Sequence, residues 1–330
     1  MPKFSQTIKD FTNHKNASTK LFTPGPGSLL PENIMGIAPC FGRNDLAYER
    51  AESEVLNALR AKTGHDKIIR LQGSASLAIE IAIRNFVFGR VLLVDSGIYS
   101  ARMGLMLTTQ SHFAQQPLEI VSVDWSDLDS VSGKFDWVVA CHVETSVGLK
   151  LPIDTVRSVA DRIHARVLLD ATASVGLESR LELADVIAYS SCKGLFGLTG
   201  AAFVSSHSLP TLEVDSFYLS YDNHRSKKMT GPYHSILSLL HVLPKHSFVK
   251  DSVLINKEKC LKKFASAIPL AEYLQPLLCT RLSAEISSGE PGAVLYESRA
   301  DISGSIVCHL GELHLGSLAK GDILEKLEAH

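Results

Sequence analysis

The sequence holds few of the features that would point to a membrane, secreted or nucleic-acid-binding protein. Its six cysteines stand at 40, 141, 192, 260, 279 and 308, with no Cys-x-x-Cys pair. That spacing disfavours both a disulfide framework and a zinc knuckle, and it makes a reducing cytoplasm the default expectation. Charge of one sign is not in excess: 33 Lys and Arg against 35 Asp and Glu leave a net charge of -2. A chain so balanced offers a phosphate backbone no general attraction, so no nucleic-acid partner is expected. The longest apolar runs, such as Val91–Val94 and Trp137–Cys141, fall far short of the ~20 residues that span a bilayer. The first twenty residues are polar, with Lys3, Lys9, Asp10 and Lys15. They hold no apolar block, so neither a secretory signal nor a membrane anchor is expected. No internal repeat and no low-complexity segment interrupts the chain, and the thirteen His show no metal-ligand spacing.

What is present is an ordinary globular composition. The 330 residues are 45% apolar and 21% charged, enough for about two domains of roughly 150 residues. Asp45–Lys62 has helical periodicity, with Tyr48, Val55, Leu56 and Leu59 on one face and Gly64 as a stop. Ser76–Phe88 and Pro152–His164 are further helices. Short apolar runs lie around them at Val91–Val94, Leu118–Val123, Trp137–His142, Arg166–Asp170, Asp185–Ser190 and Ala202–Ser205. Continuous apolar strands bounded by helices predict an α/β fold whose mostly parallel sheet is covered on both faces. Residues 207–233 are expected to be irregular, with a basic stretch at Asn223–Lys228. Helices are predicted at Tyr233–His241, Asp251–Tyr273 and Lys320–Ala329, and strands at Ala293–Tyr296 and Ser305–His309. The expected division is an arm (1–20), a large domain (21–240) and a smaller α+β domain (241–330).

In such sheets ligands collect beyond the strand ends, so polar residues just past strands carry the chemistry. Lys193 follows one strand in a glycine-rich loop, Ser190-Ser191-Cys192-Lys193-Gly194 through Gly197 and Gly200. Such a lysine is either a plain surface residue after a strand or a used amine worth the cost of desolvation, and the segment alone leaves both open. Asp170 ends another strand, where it either caps a turn or faces a cation. Gly73-Ser74-Ala75-Ser76 opens a helix, where exposed amides and the dipole form an anion site, although plain N-capping by Ser74 or Ser76 is the simpler alternative. An amine, a carboxylate, the aromatic Tyr99 and an anion cup at successive strand ends are together the set that pyridoxal 5'-phosphate requires.

Six motifs then occur in one order. They are Thr23-Pro24-Gly25-Pro26, Gly73–Ser76, Gly97-Ile98-Tyr99-Ser100-Ala101-Arg102, His142–Gly148, Asp170–Gly176 and Ser190–Gly200. In that order the sequence resembles the class V aminotransferases of the fold-type-I pyridoxal-phosphate superfamily. The branch it resembles holds 2-aminoethylphosphonate–pyruvate and alanine–glyoxylate transaminases. The resemblance implies a seven-stranded, mostly parallel sheet between helices, with a smaller C-terminal α+β domain. It also implies an enzyme that moves an amino group from a small amino acid or aminophosphonate to a 2-oxo acid or aldehyde. Lys193 would form the Schiff base with the cofactor and shuttle a proton, and Asp170 would keep the pyridine nitrogen protonated. Tyr99 would stack on the ring, Thr172 would press its opposite face, and Thr145 would sit near the ring oxygen. Ser74, Ala75 and Ser76 would hold the phosphate. Thr230, in Met229-Thr230-Gly231-Pro232, would reach the phosphate of a neighbouring subunit, implying a homodimer with shared sites. Lys227 or Lys228 would add charge there.

Departures from the family pattern bear on the substrate. Cys192 replaces a polar residue before the lysine, and Ala75 replaces a glycine of the cup. His309, in Ile306-Val307-Cys308-His309-Leu310-Gly311, stands where the family has an Arg that grips the substrate carboxylate. Imidazole cannot reproduce that two-pronged bond, and the segment looks shortened. Gly25, Arg43 and His309 are therefore the candidates for substrate contact, with Arg43 the alternative cation. Three rival assignments are weaker. Ser190-x-x-Lys193 with Lys62-Thr63-Gly64 imitates a penicillin-binding serine enzyme, but in reversed order and with Ser190 ending a strand. A lyase or desulfurase of the same fold would need a nucleophilic Cys on a mobile loop, and Cys279 and Cys308 lack such a setting. A non-catalytic binding protein would have no reason to retain Lys193 and Asp170.

Overall fold

The computed structural model describes residues 2–39, 44–113, 118–227, 229–311 and 323–330. Arg43 and Lys228 lie outside the described residues, as do Cys40, Glu312 and the start of the expected closing helix. In chain order the N-terminal part holds α1 (Pro2–Ser18), β1 (Lys20–Phe22), α2 (Pro31–Met35), α3 (Leu46–Thr63), β2 (Lys67–Gln72), α4 (Ala75–Phe86), β3 (Arg90–Asp95), α5 (Ile98–Phe113) and β4 (Glu119–Asp124). The middle holds β5 (Trp137–Cys141), β6 (Val143–Glu144), β7 (Leu149–Lys150), α6 (Ile153–Arg162), β8 (Arg166–Asp170), β9 (Val186–Ser190) and β10 (Ala201–Ser206). After it come α7 (Tyr221–Ser226), α8 (Tyr233–Val242), α9 (His246–Lys263), β11 (Cys279–Leu282), β12 (Ile286–Ser288), β13 (Ala293–Leu295), β14 (Ser305–Cys308) and β15 (Leu327–Ala329).

Seven strands form one sheet in the order β2-β10-β9-β8-β5-β3-β4. The contacts among β9, β8, β5, β3 and β4 are parallel, whereas β10 runs antiparallel to both β9 and β2. Chain length explains the reversal. Residues 191–200 join β9 to β10, and a parallel crossover needs about a dozen residues or more. The loop that carries Lys193 can therefore only turn back. The apolar runs are continuous because both faces are covered: Val138, Ala140, Val167 and Leu169 pack with α3, α6 and α8, while Trp137, Val139, Cys141 and Leu168 pack with α4 and α5.

Expectation and structure differ at several places, including α7 (Tyr221–Ser226) within the stretch expected to be irregular. The polar N-terminus is helical, as α1. The region 98–113, given no element from sequence, is α5, and 67–72 is the edge strand β2. The helix expected at Asp251–Tyr273 runs instead from His246 to Lys263. Pro269 and the extended Ile268 bar its continuation, so only short 3₁₀ turns follow at Ala265–Ala267 and Glu272–Leu274. The described end of the chain is a 3₁₀ turn and β15, paired with β12, rather than a closing helix. Beyond α9, β11 pairs with β14 and β12 with β15, both antiparallel, and β13 pairs in parallel with β1.

Candidate active site

A cavity of about 340 Å³ lies beyond the C-terminal ends of β5, β8 and β9 and the turns after β2 and β3. Parallel strands end here on the side where βα turns leave the sheet, and the strand order changes direction between β5 and β3. Gly73, Ser74, Ala75, Ser76, Tyr99, Arg102, Asp170, Thr172 and Lys193 all line it. Seven of the sequence candidates thus meet in one place: Lys193, Asp170, Ser74, Ala75, Ser76, Tyr99 and Thr172.

Each is set there by local structure. Ser74 is the N-cap of α4, yet its side chain makes no capping bond. The plain capping alternative therefore leaves that hydroxyl unexplained, and α4 offers its free amides and positive end to the cavity. Gly73 is pinned to the far side of the Lys193 loop by its N–H to the Gly200 carbonyl at 3.0 Å. Asp170, 6% exposed, accepts the Thr172 N–H at 2.9 Å through Oδ1, which leaves Oδ2 available. The buried Thr172 Oγ1 has no partner of its own. Lys193 is crossed by the N-terminal segment: a Cβ on Gly25 would lie 2.9 Å from Lys193 Cγ, and Gly27 N–H donates to the Cys192 carbonyl at 2.9 Å. At this contact, with a φ of +132° at Gly25, only glycine fits.

Tyr99 presents its ring to two cations. Lys193 Nζ lies 5.4 Å from the ring centroid and Arg102 Cζ 5.0 Å. Arg102 also donates from Nη1 to Ser76 Oγ at 3.3 Å, which places a guanidinium at the mouth of the α4 cup. Arg102 belongs to the Gly97–Arg102 motif, yet the sequence alone assigns it no role at the site. The signal was its position three residues after Tyr99, on the same face of a helix the sequence did not reveal. A second residue missed is Glu144. Its Oε2 accepts the N–H groups of Tyr99 and Ser100 at 3.0 and 3.1 Å, and Ser146 Oγ bonds its Oε1. The carboxyl is fully buried, and burial raises its pKa above the usual carboxylate range. It closes the N-terminus of α5, so Tyr99 hangs from a fixed helix end.

The remaining candidates lie elsewhere. Thr145 is buried and its Oγ1 has no partner, but it is not among the lining residues. Thr230 is exposed and outside the cavity of its own chain. His309 is wholly buried in the C-terminal part, with Thr280 Oγ1 2.9 Å from its Nε2. Burial brings its pKa down to about 3, so it is neutral near pH 7 and offers no positive charge. It does not line the cavity. Among the described residues, no group of three His, Cys, Asp or Glu is placed to hold a metal ion, and no helix is long and apolar enough to cross a membrane.

Sheet order, the single reversed strand and a lysine in the returning loop make this the fold of the fold-type-I pyridoxal-phosphate-dependent aminotransferases. The chain is 28% identical over 251 residues to a 2-aminoethylphosphonate–pyruvate transaminase of Salmonella paratyphi B, a match covering 68% of each chain. Among solved structures it superposes on an alanine–glyoxylate aminotransferase from Nostoc sp. with a TM-score of 0.74 at 18% identity, covering 90% of this chain and 91% of that one. A pyridoxamine–pyruvate aminotransferase from Mesorhizobium loti gives 0.73 at 18% identity, over 90% and 88% of the two chains. No protein-family model matches the chain. The class V resemblance in the motifs and the similarity in these comparisons agree.

Proposed function

We propose that the protein is a pyridoxal-phosphate-dependent aminotransferase of class V. It would move an amino group from a small amino acid or aminophosphonate to a 2-oxo acid or aldehyde. One observation carries this: an amine (Lys193), a buried acid with a free oxygen (Asp170), an aromatic face (Tyr99) and a helix N-terminus converge on one cavity. The residues fit the cofactor, because the cavity holds polar atoms that nothing in the chain satisfies. Thr172 Oγ1 is an orphan, and Ser74 Oγ at the end of α4 makes no capping bond. A relative by fold from Trichomonas vaginalis, a phosphoserine aminotransferase, is described as bound to pyridoxal phosphate (TM-score 0.68, 12% identity, covering 89% of this chain and 96% of that one).

When bound, pyridoxal phosphate supplies an aldehyde that condenses with amines and a ring that accepts the electrons left when a proton departs from carbon. The chain's own residues do the rest. Lys193 would hold the cofactor covalently, and its amine would move a proton at the substrate's α-carbon. Asp170 would keep a positive charge on the ring nitrogen, and Thr172, which lines the cavity, would press the face of the ring opposite Tyr99. Ser74, Ala75, Ser76 and Arg102 would take the phosphate. Val143, Ala173 and Ile79 line the cavity with apolar surface and exclude water from the reacting carbon.

Finer features belong to the same proposal. Residues 21–240 would form the cofactor domain and 241–330 the smaller one. The enzyme would be a cytoplasmic homodimer in which Thr230 and Lys227 serve the neighbour's phosphate. Gly25 would touch the substrate, and a cation other than His309, with Arg43 as first candidate, would take its anion. The desulfurase alternative is disfavoured by the thiols available. Cys279 and Cys308 are opposite each other on β11 and β14, both fully buried, and burial together with the neighbouring Cys279 raises the Cys308 pKa well above the usual thiol value. A protonated thiol with no access to solvent is a poor nucleophile.

Replacing Lys193 tests the whole assignment. Lys193→Ala is expected to fold normally, by circular dichroism, yet to lose the near-visible absorbance of covalently held cofactor. Retention of that covalent band would refute the role of Lys193. In the unsubstituted protein, an amino donor is expected to convert the band fully to that of the pyridoxamine form. The donor panel of carboxylate, phosphonate and sulfonate amines then ranks the substrates.

A further inference from the structure

One buried side chain outside the cavity bonds the carbonyl of Gly194, the residue after Lys193. His246, the first residue of α9, is 2% exposed. Its Nε2 lies 2.7 Å from the Gly194 carbonyl oxygen, and its Nδ1 lies 3.1 Å from Lys62 Nζ, near the C-terminal end of α3. An ammonium can only donate, so Nδ1 accepts and the ring proton sits on Nε2, where it donates to Gly194. Lys62 thereby fixes the tautomer of His246.

The surroundings leave this arrangement no room to relax. A Cβ at Gly176 would stand 2.6 Å from both the Gly194 oxygen and His246 Nε2. Across the ring lies Phe196, with centroids 6.0 Å apart. Phe196 N–H in turn donates to the Lys193 carbonyl at 2.8 Å. The charged groups that bear on His246 are Lys62 from α3 and Lys250 from α9, both cations. With burial they lower its pKa to about 4, burial being the larger cause. The neutral ring that this geometry requires is therefore the form present near pH 7.

We propose that His246 is a positioning residue for Lys193: its bond to the Gly194 carbonyl fixes the Gly194–Leu195 peptide, one residue beyond Lys193, and so holds the backbone from which the amine points. The bond also ties the lysine loop to α3 and to α9. The proposal rests on Lys193 being the cofactor lysine, but its first test does not depend on cofactor.

Three substitutions separate the two contacts. Gln places an N–H near the position of the imidazole Nε2, keeping the bond to Gly194. Asn places an acceptor near that of Nδ1, keeping Lys62 but losing Gly194. Amide hydrogen exchange of the cofactor-free protein is read across residues 194–197, and the pH midpoint of the bound cofactor's absorbance is read in the loaded protein. His246→Asn and His246→Ala are expected to speed exchange in this segment about tenfold, the effect of losing one buried hydrogen bond, and to shift the spectroscopic midpoint. His246→Gln is expected to stay within about twofold of the parent in exchange and to keep its midpoint. Circular dichroism checks that each variant folds, and the Gln and Asn variants decide the matter should the Ala variant not fold. Rescue by Asn but not by Gln, or no change of exchange and midpoint in any variant, overturns the proposal. A Lys193→Ala protein that kept covalent cofactor would instead sink the functional assignment while leaving the exchange result standing.

Discussion

Asp170 is the last residue of β8, and its carboxylate is held from behind by the Thr172 N–H. An Asn at this position keeps that acceptor and leaves the α4 cup untouched, but it removes the negative charge. If Asp170 acts by holding a proton on the ring nitrogen, Asp170→Asn should retain the cofactor within about threefold of its parent affinity. Turnover should fall roughly 10²-fold or more, the range typical of a lost acid–base partner. Cofactor titration and single-turnover spectra separate the two quantities, and equal losses in both would contradict the role. The same scale shows why His309 misleads on sequence. Its place in Cys308-His309-Leu310-Gly311 matches a motif position, but position does not reveal burial. Folding encloses the ring beside Thr280, where its protonated form is costly.

At the scale of elements, the N-terminus of α5 decides where Tyr99 goes. Glu144 and Ser146 from the turn after β5 accept the amides of Tyr99, Ser100 and Ile98. Gly97 lets them approach: its φ is +146°, and a Cβ there would lie 2.8 Å from Glu144 Cγ and 2.9 Å from Ser146 Oγ. Gly97→Ala should therefore cost about 1–3 kcal/mol of stability and displace Tyr99 and Arg102 together. Thermal melts and cofactor affinity would both fall; an unchanged protein would show that the cap does not govern the ring. Much of this architecture was legible in the chain because its cause is local. The runs in β3, β5, β8 and β9 are apolar on both faces, and α3, α4 and α6 have the periodicity and stop signals of amphipathic helices. α5 escaped because Met103 and Leu107 are buried while Leu105 is exposed, so its apolar residues do not gather on one face. β2 escaped because Lys67, Arg70 and Gln72 interrupt its apolar residues, and only pairing with β10 makes it a strand. Glu144 and His246 were beyond reach for a different reason: each acts on a backbone group far away in sequence or in another element, and no spacing encodes that.

For the whole molecule, acid should loosen what these contacts hold. His142 and His246 are brought down to about 4 and His309 to about 3, in each case chiefly by burial. An imidazole with a depressed folded pKa contributes stability that is present above its unfolded value near 6.5 and is lost as pH falls through the folded one. Stability should thus decline from about pH 6.5 down to about pH 3. His309→Gln, which keeps a polar atom near Thr280, should reduce the slope between pH 5 and 6 by close to one proton, about 1.4 kcal/mol per pH unit. An unaltered slope in chemical denaturation would show that His309 does not titrate on unfolding. Assembly is the other property of this scale. Thr230 is exposed and lies outside its own chain's cavity, so in the proposed homodimer its phosphate contact would be made in the second subunit. Two defective proteins then become informative. Lys193→Ala is inactive for want of the amine, and Thr230→Ala should bind cofactor about tenfold more weakly for want of one hydroxyl bond to a charged group. In a mixed dimer, the site that retains Lys193 belongs to the Thr230→Ala chain and receives an intact Thr230 from the other. Co-refolding the two should restore parent cofactor affinity in one site per dimer. Measured affinities that equal those of the separate variants would mean that each chain builds its phosphate cup alone.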